Sequence, residues 1–144
     1  MFELNPEFVE KLYESGHILG FASYFHPSFA VLYPELAKKG VEISLMLTEP
    51  VVQRFKKDYR EQLYTLLNFE NVRMFVFPRD AKIADFTVTD KFFSLTLFSR
   101  EKLFEHESLL SSESESLKWG TDLFSYMLNE AISVKEAESN TLKY

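Results

Sequence analysis

Apolar positions along the chain change their spacing in an order that spells out alternating helices and strands. Asn5-Pro6-Glu7 supplies an N-cap, a proline at the first helical position and an early acid. Phe8, Val9, Leu12 and Tyr13 then share one face before Gly16 stops the run, which predicts a short amphipathic helix over 5–15. Residues 18–25 are an almost unbroken run of apolar and small side chains, the pattern of a strand covered on both faces and therefore central in its sheet. His26-Pro27-Ser28 turns the chain into Phe29, Leu32 and Leu36, at helical spacing up to Lys38-Lys39-Gly40, with Pro34 expected to kink or split that helix. Val41, Ile43, Leu45 and Leu47 alternate with Glu42, Ser44 and Met46 as a second strand. Thr48-Glu49-Pro50 opens what the periodicity reads as the longest middle helix. Its Val51, Val52, Phe55, Tyr59, Leu63, Leu66 and Leu67 face inward, while Arg54, Lys57, Asp58 and Glu61 face water. Residues 71–77 read as a third strand.

Two successive strand–helix–strand units of this length imply right-handed crossovers and a parallel three-stranded core. The period then changes. Ala84, Phe86 and Val88 alternate with Asp85, Thr87 and Thr89, and Asp90-Lys91 turns the chain into Phe93, Leu95 and Leu97, which predicts an antiparallel hairpin and a mixed sheet. A charged loop is expected at 100–106, then a short edge strand at 108–111. Ser112 and Glu115 fit a capping box for a long final helix over 113–134, with Leu117, Gly120, Leu123, Phe124, Met127, Leu128 and Ala131 on one face. The expected organisation is one α/β domain over 1–135 (helix 5–15, sheet and helices 17–112, final helix 113–134) and a frayed polar tail over 136–144. No internal repeat or Gly/Ser linker interrupts it.

Composition narrows the function classes. Sixteen Lys and Arg against 22 Asp and Glu give a net charge of −6, which opposes the phosphate backbone of nucleic acid. The chain contains no cysteine, so disulfides, a thiolate nucleophile and sulfur-based zinc sites are excluded. No apolar stretch approaches the ~20 residues that span a bilayer, and the acidic start does not suit a signal peptide. The expected compartment is the cytoplasm, with no membrane contact. The 15 Phe, 7 Tyr and 1 Trp leave little room for disorder.

The residues that could carry chemistry are sparse. Three histidines are present, none at helical metal-site spacing from another. His26 stands just past the first strand, where open α/β sheets place their ligand crevice. Phosphodiesterases of the phospholipase D type also carry a His at such a strand end, with a Lys two residues on and an Asp five further. Ser28 and Tyr33 occupy those places, so that machinery is missing, and His26 reads either as a cap on the following helix or as a ligand contact. Ser28 with His26 lacks a third orienting group and a nucleophile elbow. Gly16 and Gly20 are not at a strand-to-helix turn, so no phosphate loop is formed. Asp80 and Asp85 could approach one another, but strand and loop acids more often face solvent. Arg54, Lys56, Lys57 and Arg60 are interleaved with Asp58 and Glu61 as a solvated helix face. Trp119 beside Gly120 marks a place where another backbone is expected to approach the helix closely, with the indole as core, pocket wall or subunit contact.

Several segments together resemble a known family. They are Tyr24-Phe25-His26-Pro27, Gly40-Val41-Glu42-Ile43-Ser44-Leu45-Met46-Leu47-Thr48, Asn71-Val72-Arg73, Val88-Thr89-Asp90-Lys91-Phe92 with Ser94-Leu95-Thr96-Leu97-Phe98, and Lys118-Trp119-Gly120 with Leu123-Phe124-Ser125-Tyr126. In order and spacing they resemble the middle, effector domain of archaeal winged-helix transcription regulators named for methanogenesis regulation, over roughly residues 4–131. The resemblance implies a fold similar to phospholipase D-like domains and a place beside a DNA-binding winged helix. That winged helix has no room upstream of Asn5, so this chain is expected to be either an excised or a stand-alone effector domain.

From fold and resemblance together, the expected function is non-catalytic ligand sensing and homodimerisation for a transcription regulator, with no cofactor and no metal. DNA would be reached only through an attached or partner winged helix. A degenerate phospholipase D-like phosphoesterase and a pure dimerisation scaffold are the alternatives. The ligand, an unidentified small molecule, is expected where the parallel strands end, at Ser23, Tyr24, His26, Thr48 and Arg79, with Trp119 as a possible wall.

Overall fold

The two-faced apolar run after the first helix becomes the middle strand of a seven-stranded mixed sheet. A computed structural model describes residues 6–79, 83–98 and 106–134. In chain order the elements are α1 (Pro6–Glu14), β1 (His17–Ala22), α2 (Phe29–Lys38), β2 (Glu42–Thr48), α3 (Glu49–Asp58), α4 (Arg60–Asn68) and β3 (Val72–Phe77). Then follow β4 (Ile83–Thr89), β5 (Phe93–Phe98), β6 (His106–Ser111), α5 (Ser114–Leu128) and β7 (Ile132–Ser133). The strand order is β6-β5-β4-β1-β2-β3-β7. β1, β2 and β3 are parallel, and β4 joins β1 antiparallel.

Alternation along each strand divides the side chains between two apolar layers. Ile18 and Ala22 of β1, Ile43, Leu45 and Leu47 of β2 and Val72, Met74 and Val76 of β3 pack under α1 to α4. Phe21, Met46, Phe77, Phe86, Val88 and Phe93 pack under Phe124 and Met127 of α5 on the opposite face. Met46 is fully buried, because β2 is covered on both faces like β1.

Four details depart from the periodicity. The expected long middle helix is two helices, broken at Tyr59 (φ −139°, ψ 43°), where the Tyr59 ring stacks on Phe25 at 5.0 Å. Pro34 does not split α2, since Leu32, Tyr33, Leu36 and Ala37 on either side are buried and hold the helix against the sheet despite one missing ladder bond. The capping box at Ser112 and Glu115 does not form. Glu113 is the N-cap without a side-chain bond, while its N–H donates to Ser111 Oγ at 3.2 Å and Lys11 Nζ donates to Ser112 Oγ at 3.4 Å. The final helix ends at Leu128, not at 134. Ile132 and Ser133 form β7 on the edge of β3, and Val134 is buried in the helix-covered core.

The edge strand expected at 108–111 begins earlier, at His106, and pairs with β5 along its length. The charged loop expected at 100–106, apart from His106, lies outside the described residues, as do Asp80 and the tail at 136–144. No helix among the described residues is long and apolar enough to cross a membrane.

Candidate functional site

Beyond Ala22 the chain leaves the sheet, and the residues just past the strand end do different work. The β4–β5 ladder slips between Ile83 and Asp85, a bulge that puts an extra residue in β4 and leaves carbonyls needing donors. Ser23 supplies them: its N–H donates to the Ala84 carbonyl at 2.9 Å, and its Oγ lies 2.7 and 3.0 Å from the Ile83 and Ala84 carbonyl oxygens. Tyr24 donates its hydroxyl to Asp85 Oδ2 at 3.0 Å. His26 is 6% exposed, and its Nδ1 accepts the Ser28 N–H at 3.1 Å. One ring nitrogen therefore fixes the turn that starts α2. Its ring also leans on Phe29, 5.6 Å between centroids.

Below this turn, between the sheet and α1, α2 and α3, is a cavity of about 30 Å³, room for roughly two water molecules. Phe8, Phe29, Tyr33 and Phe55 wall it, and Gly20 and Ala22 form part of its floor. Gly20 is there for space: a Cβ on it would stand 3.1 Å from Leu45 Cδ2 and 3.7 Å from the Tyr33 hydroxyl. Asp85 and Thr87, facing Ala22 and Gly20 across the β1–β4 ladder, also line it. The alternation that assigned Asp85 to the polar face of β4 is correct, and on that face the acid lines the cavity while staying partly exposed.

Tyr33 is the polar anomaly of this cavity. Its side chain is buried, at 4% exposure, yet no hydrogen bond joins its hydroxyl to another described residue, and the oxygen keeps contact with the cavity space. Burial first, and the charge of Asp85 second, push the Tyr33 hydroxyl far above the ordinary phenol range. Burial, then the charge of Asp85 and its hydrogen bond, do the same to Tyr24. Both phenols are held protonated.

The expected site residues thus separate. Tyr24 reaches the cavity through Asp85; Ser23 and His26 shape the turn above it. Thr48, buried at the end of β2, and Arg79 line a different, open hollow of about 280 Å³ with Glu49, Pro50, Phe77 and Pro78. Arg79 forms two hydrogen bonds with Glu130, at 2.8 and 3.0 Å, and lies over the Phe77 ring. Trp119 is on α5, across the sheet from the cavity, 54% exposed, with its ring edge-on to Phe93 at 5.5 Å. The close approach expected at Gly120 is real, but the approaching group is the Phe93 ring, not another backbone. Residue patterns alone did not assign Tyr33, Gly20 or the aromatic walls to a site, and weighed Asp85 only as a partner for Asp80. The one available signal was the pair of small residues, Gly20 and Ala22, in an otherwise bulky central strand.

Comparison with known proteins agrees with this architecture. The family model described as methanogenesis regulatory protein FilR1, middle domain, matches residues 1–130. No curated protein sequence matches the chain. Among solved structures, the archaeal chromatin protein TrmBL2, whose structure is described as showing a novel mode of DNA binding, aligns with a TM-score of 0.74 at 14% identity. That alignment covers 89% of this chain and 49% of TrmBL2, so the chain spans about half the length of that protein. Nuc, a phospholipase D family member from Salmonella typhimurium, aligns with a TM-score of 0.61 at 9% identity, over 87% of this chain and 86% of its own. At these identities the two likenesses establish the fold alone.

Proposed function

The chain belongs to the family of methanogenesis regulatory protein FilR1 middle domains, and from that membership we propose that it is the ligand-sensing, non-catalytic module of a cytoplasmic transcription regulator. The observation that carries this reading is the cavity beneath the end of β1, walled by aromatic rings with Tyr33 and Asp85 in its lining. An occupant stabilises whichever conformation holds it better, and a regulator needs such a differential affinity. DNA contact would come from an attached or partner winged-helix unit, since a net charge of −6 disfavours direct binding.

A phosphoesterase reading has less support. Ser28 and Tyr33 stand where its Lys and Asp would be, and His26 Nδ1 is committed to the Ser28 N–H. Thermal unfolding against sugars, phosphate esters, amines, alcohols and carboxylates tests the sensing reading. A ligand at 100 times its dissociation constant adds about 2.7 kcal/mol, a rise of roughly 6 to 13 °C for a chain of this size. The rise should shrink in Tyr33→Phe. No stabilisation by any class would remove the reading.

Homodimerisation is the second part of the proposal, and a specific observation favours it. Trp119 and Tyr126, seven residues apart on α5, are 54% and 70% exposed, and Leu109 on β6, the edge strand among the described residues, is 63% exposed. A second copy of this chain is the partner proposed for that surface.

A further inference from the structure

Carbon dominates the surface that encloses the cavity beneath the end of β1. Phe8, Phe29 and Phe55 stand around it, and Leu45, Leu47 and Val51 close it from β2 and α3. Asp85, Thr87 and the Tyr33 hydroxyl are the polar part of the lining, and none of them awaits a charged or strongly polar guest. Asp85 accepts the Tyr24 hydroxyl at 3.0 Å and holds a further interaction besides. No fully buried side-chain oxygen or nitrogen among the described residues lacks a hydrogen-bond partner. Phe8, Phe29 and Asp85 are half-buried and come from α1, α2 and β4, so the cavity comes nearest to solvent between those elements.

We propose that this cavity takes a small uncharged apolar group, either a free molecule of a few carbons or the end of an alkyl chain whose polar head stays at the mouth. The assignment rests on the sensing reading and deepens it by naming the ligand class. A space of about 30 Å³ accommodates roughly two to three groups the size of a water or a methyl, too few for a sugar or a nucleotide. An apolar guest gains by leaving water and gives up no hydrogen bonds in doing so. A polar guest would surrender its bonds to water and find at most the Tyr33 hydroxyl in return. An ion would add the larger penalty of its own desolvation, with Asp85 already engaged. Cavities lined by Leu and Phe side chains stay dry and take apolar guests.

Xenon and the straight-chain alcohols from methanol to 1-hexanol are the probes, each added separately to the full chain labelled at its Leu and Val methyl groups. Xenon stands for the free guest and the alcohols for the alkyl end. Ligands of so few atoms bind weakly at best, so the alcohol titrations run to about 100 mM. NMR shifts of the Leu45, Leu47 and Val51 methyls report occupancy of the cavity itself, while Leu63 and Leu66 of α4, outside the lining, should stay unmoved. The alcohols should bind about fourfold more tightly for each carbon added, the gain from burying one methylene, and level off after roughly three carbons, where the space ends. Val51→Ala takes two carbons from the wall and should move that limit about two carbons further along the series, a shift that lost stability alone does not produce. Should that variant not fold, Gly20→Ala, whose new methyl would stand 3.1 Å from Leu45 Cδ2, should shorten the series and weaken xenon.

A response to xenon without one to the alcohols keeps the apolar assignment with a free molecule as the guest. Chain-length-dependent binding of the alcohols without a response to xenon keeps it with an alkyl end. Cavity methyls that ignore both sets of probes would overturn it, as would alcohols that bind equally well at every length. Either of those results leaves ligand sensing standing as long as a sugar, phosphate ester, amine or carboxylate stabilises the chain in thermal unfolding. Only if none of those classes did so would the sensing reading fall with it.

Discussion

Gly120 shows how one residue can be legible in sequence as an exception without its cause being legible. Glycine inside a helix costs about 1 kcal/mol relative to alanine, so its presence in α5 signals a close approach. A Cβ there would stand 2.5 and 2.7 Å from the Phe93 ring and 3.1 Å from Val88 Cβ. Gly120→Ala should therefore destabilise despite the better helix propensity, because overpacking costs about 1–3 kcal/mol. The expected readout is a lower urea midpoint with an unchanged m-value; a raised midpoint would show that Phe93 moves aside freely. The buried tyrosines give a second prediction at this scale. Tyr33 and Tyr24 have folded-state values raised above the ordinary phenol value of 10.0. Their contribution is fully present below pH 10, and it is lost as the pH rises above that, where the unfolded chain releases phenol protons that the folded chain retains. Urea midpoints should fall more steeply between pH 9 and 11 for the native chain than for Tyr33→Phe. Parallel curves would contradict the burial of that hydroxyl.

Elements were legible in proportion to how local their causes are. The parallel strands, the hairpin and the amphipathic face of α5 follow from alternation and 3.6-residue spacing, because each strand or helix meets its apolar layer directly. The break at Tyr59 has no such signal, since Phe55, Tyr59 and Leu63 keep unbroken helical spacing and the stack on Phe25 joins residues 34 apart in sequence. β7 was hidden for a similar reason. Ala131 continues the α5 face, and only pairing with β3 makes Ile132 and Ser133 a strand. Val134, 1% exposed against the helix-covered core, should anchor that last segment. Val134→Ala removes two buried carbons, so it should cost about 2 kcal/mol in chemical denaturation. A cost near zero would mean that Val134 does not anchor that segment.

At the scale of the whole molecule, topology points nearer to the proposed cavity than residue type does. The rule that ligands gather at the ends of parallel strands pointed to Tyr24 and, through it, to Asp85, while the cavity walls come from α1, α2, α3, β1, β2 and β4. Six segments converging is a tertiary event that no local pattern records. Alternation could separate the two faces of β4 but not say that a cavity lies against the polar one. The opposite face of the sheet carries the last prediction. Trp119 is supported edge-on by Phe93 and is half exposed, while Leu109, in register with Leu95, extends the same side of the sheet toward β6, the edge strand among the described residues. Antiparallel pairing of two such edges has two-fold symmetry and would place both copies' Trp119 near the shared surface. Exposed tryptophan held by its own protein is the typical anchor of such a contact, where truncation costs 2 kcal/mol or more, roughly a thirtyfold loss in affinity. Light scattering should therefore report a dimer mass for the native chain at micromolar concentration and a shift toward monomer in Trp119→Ala, with the circular dichroism of the fold unchanged. A native chain that stays monomeric at every concentration would leave the surface to a different partner, and the sensing cavity, on the far side of the sheet, would be unaffected by that result.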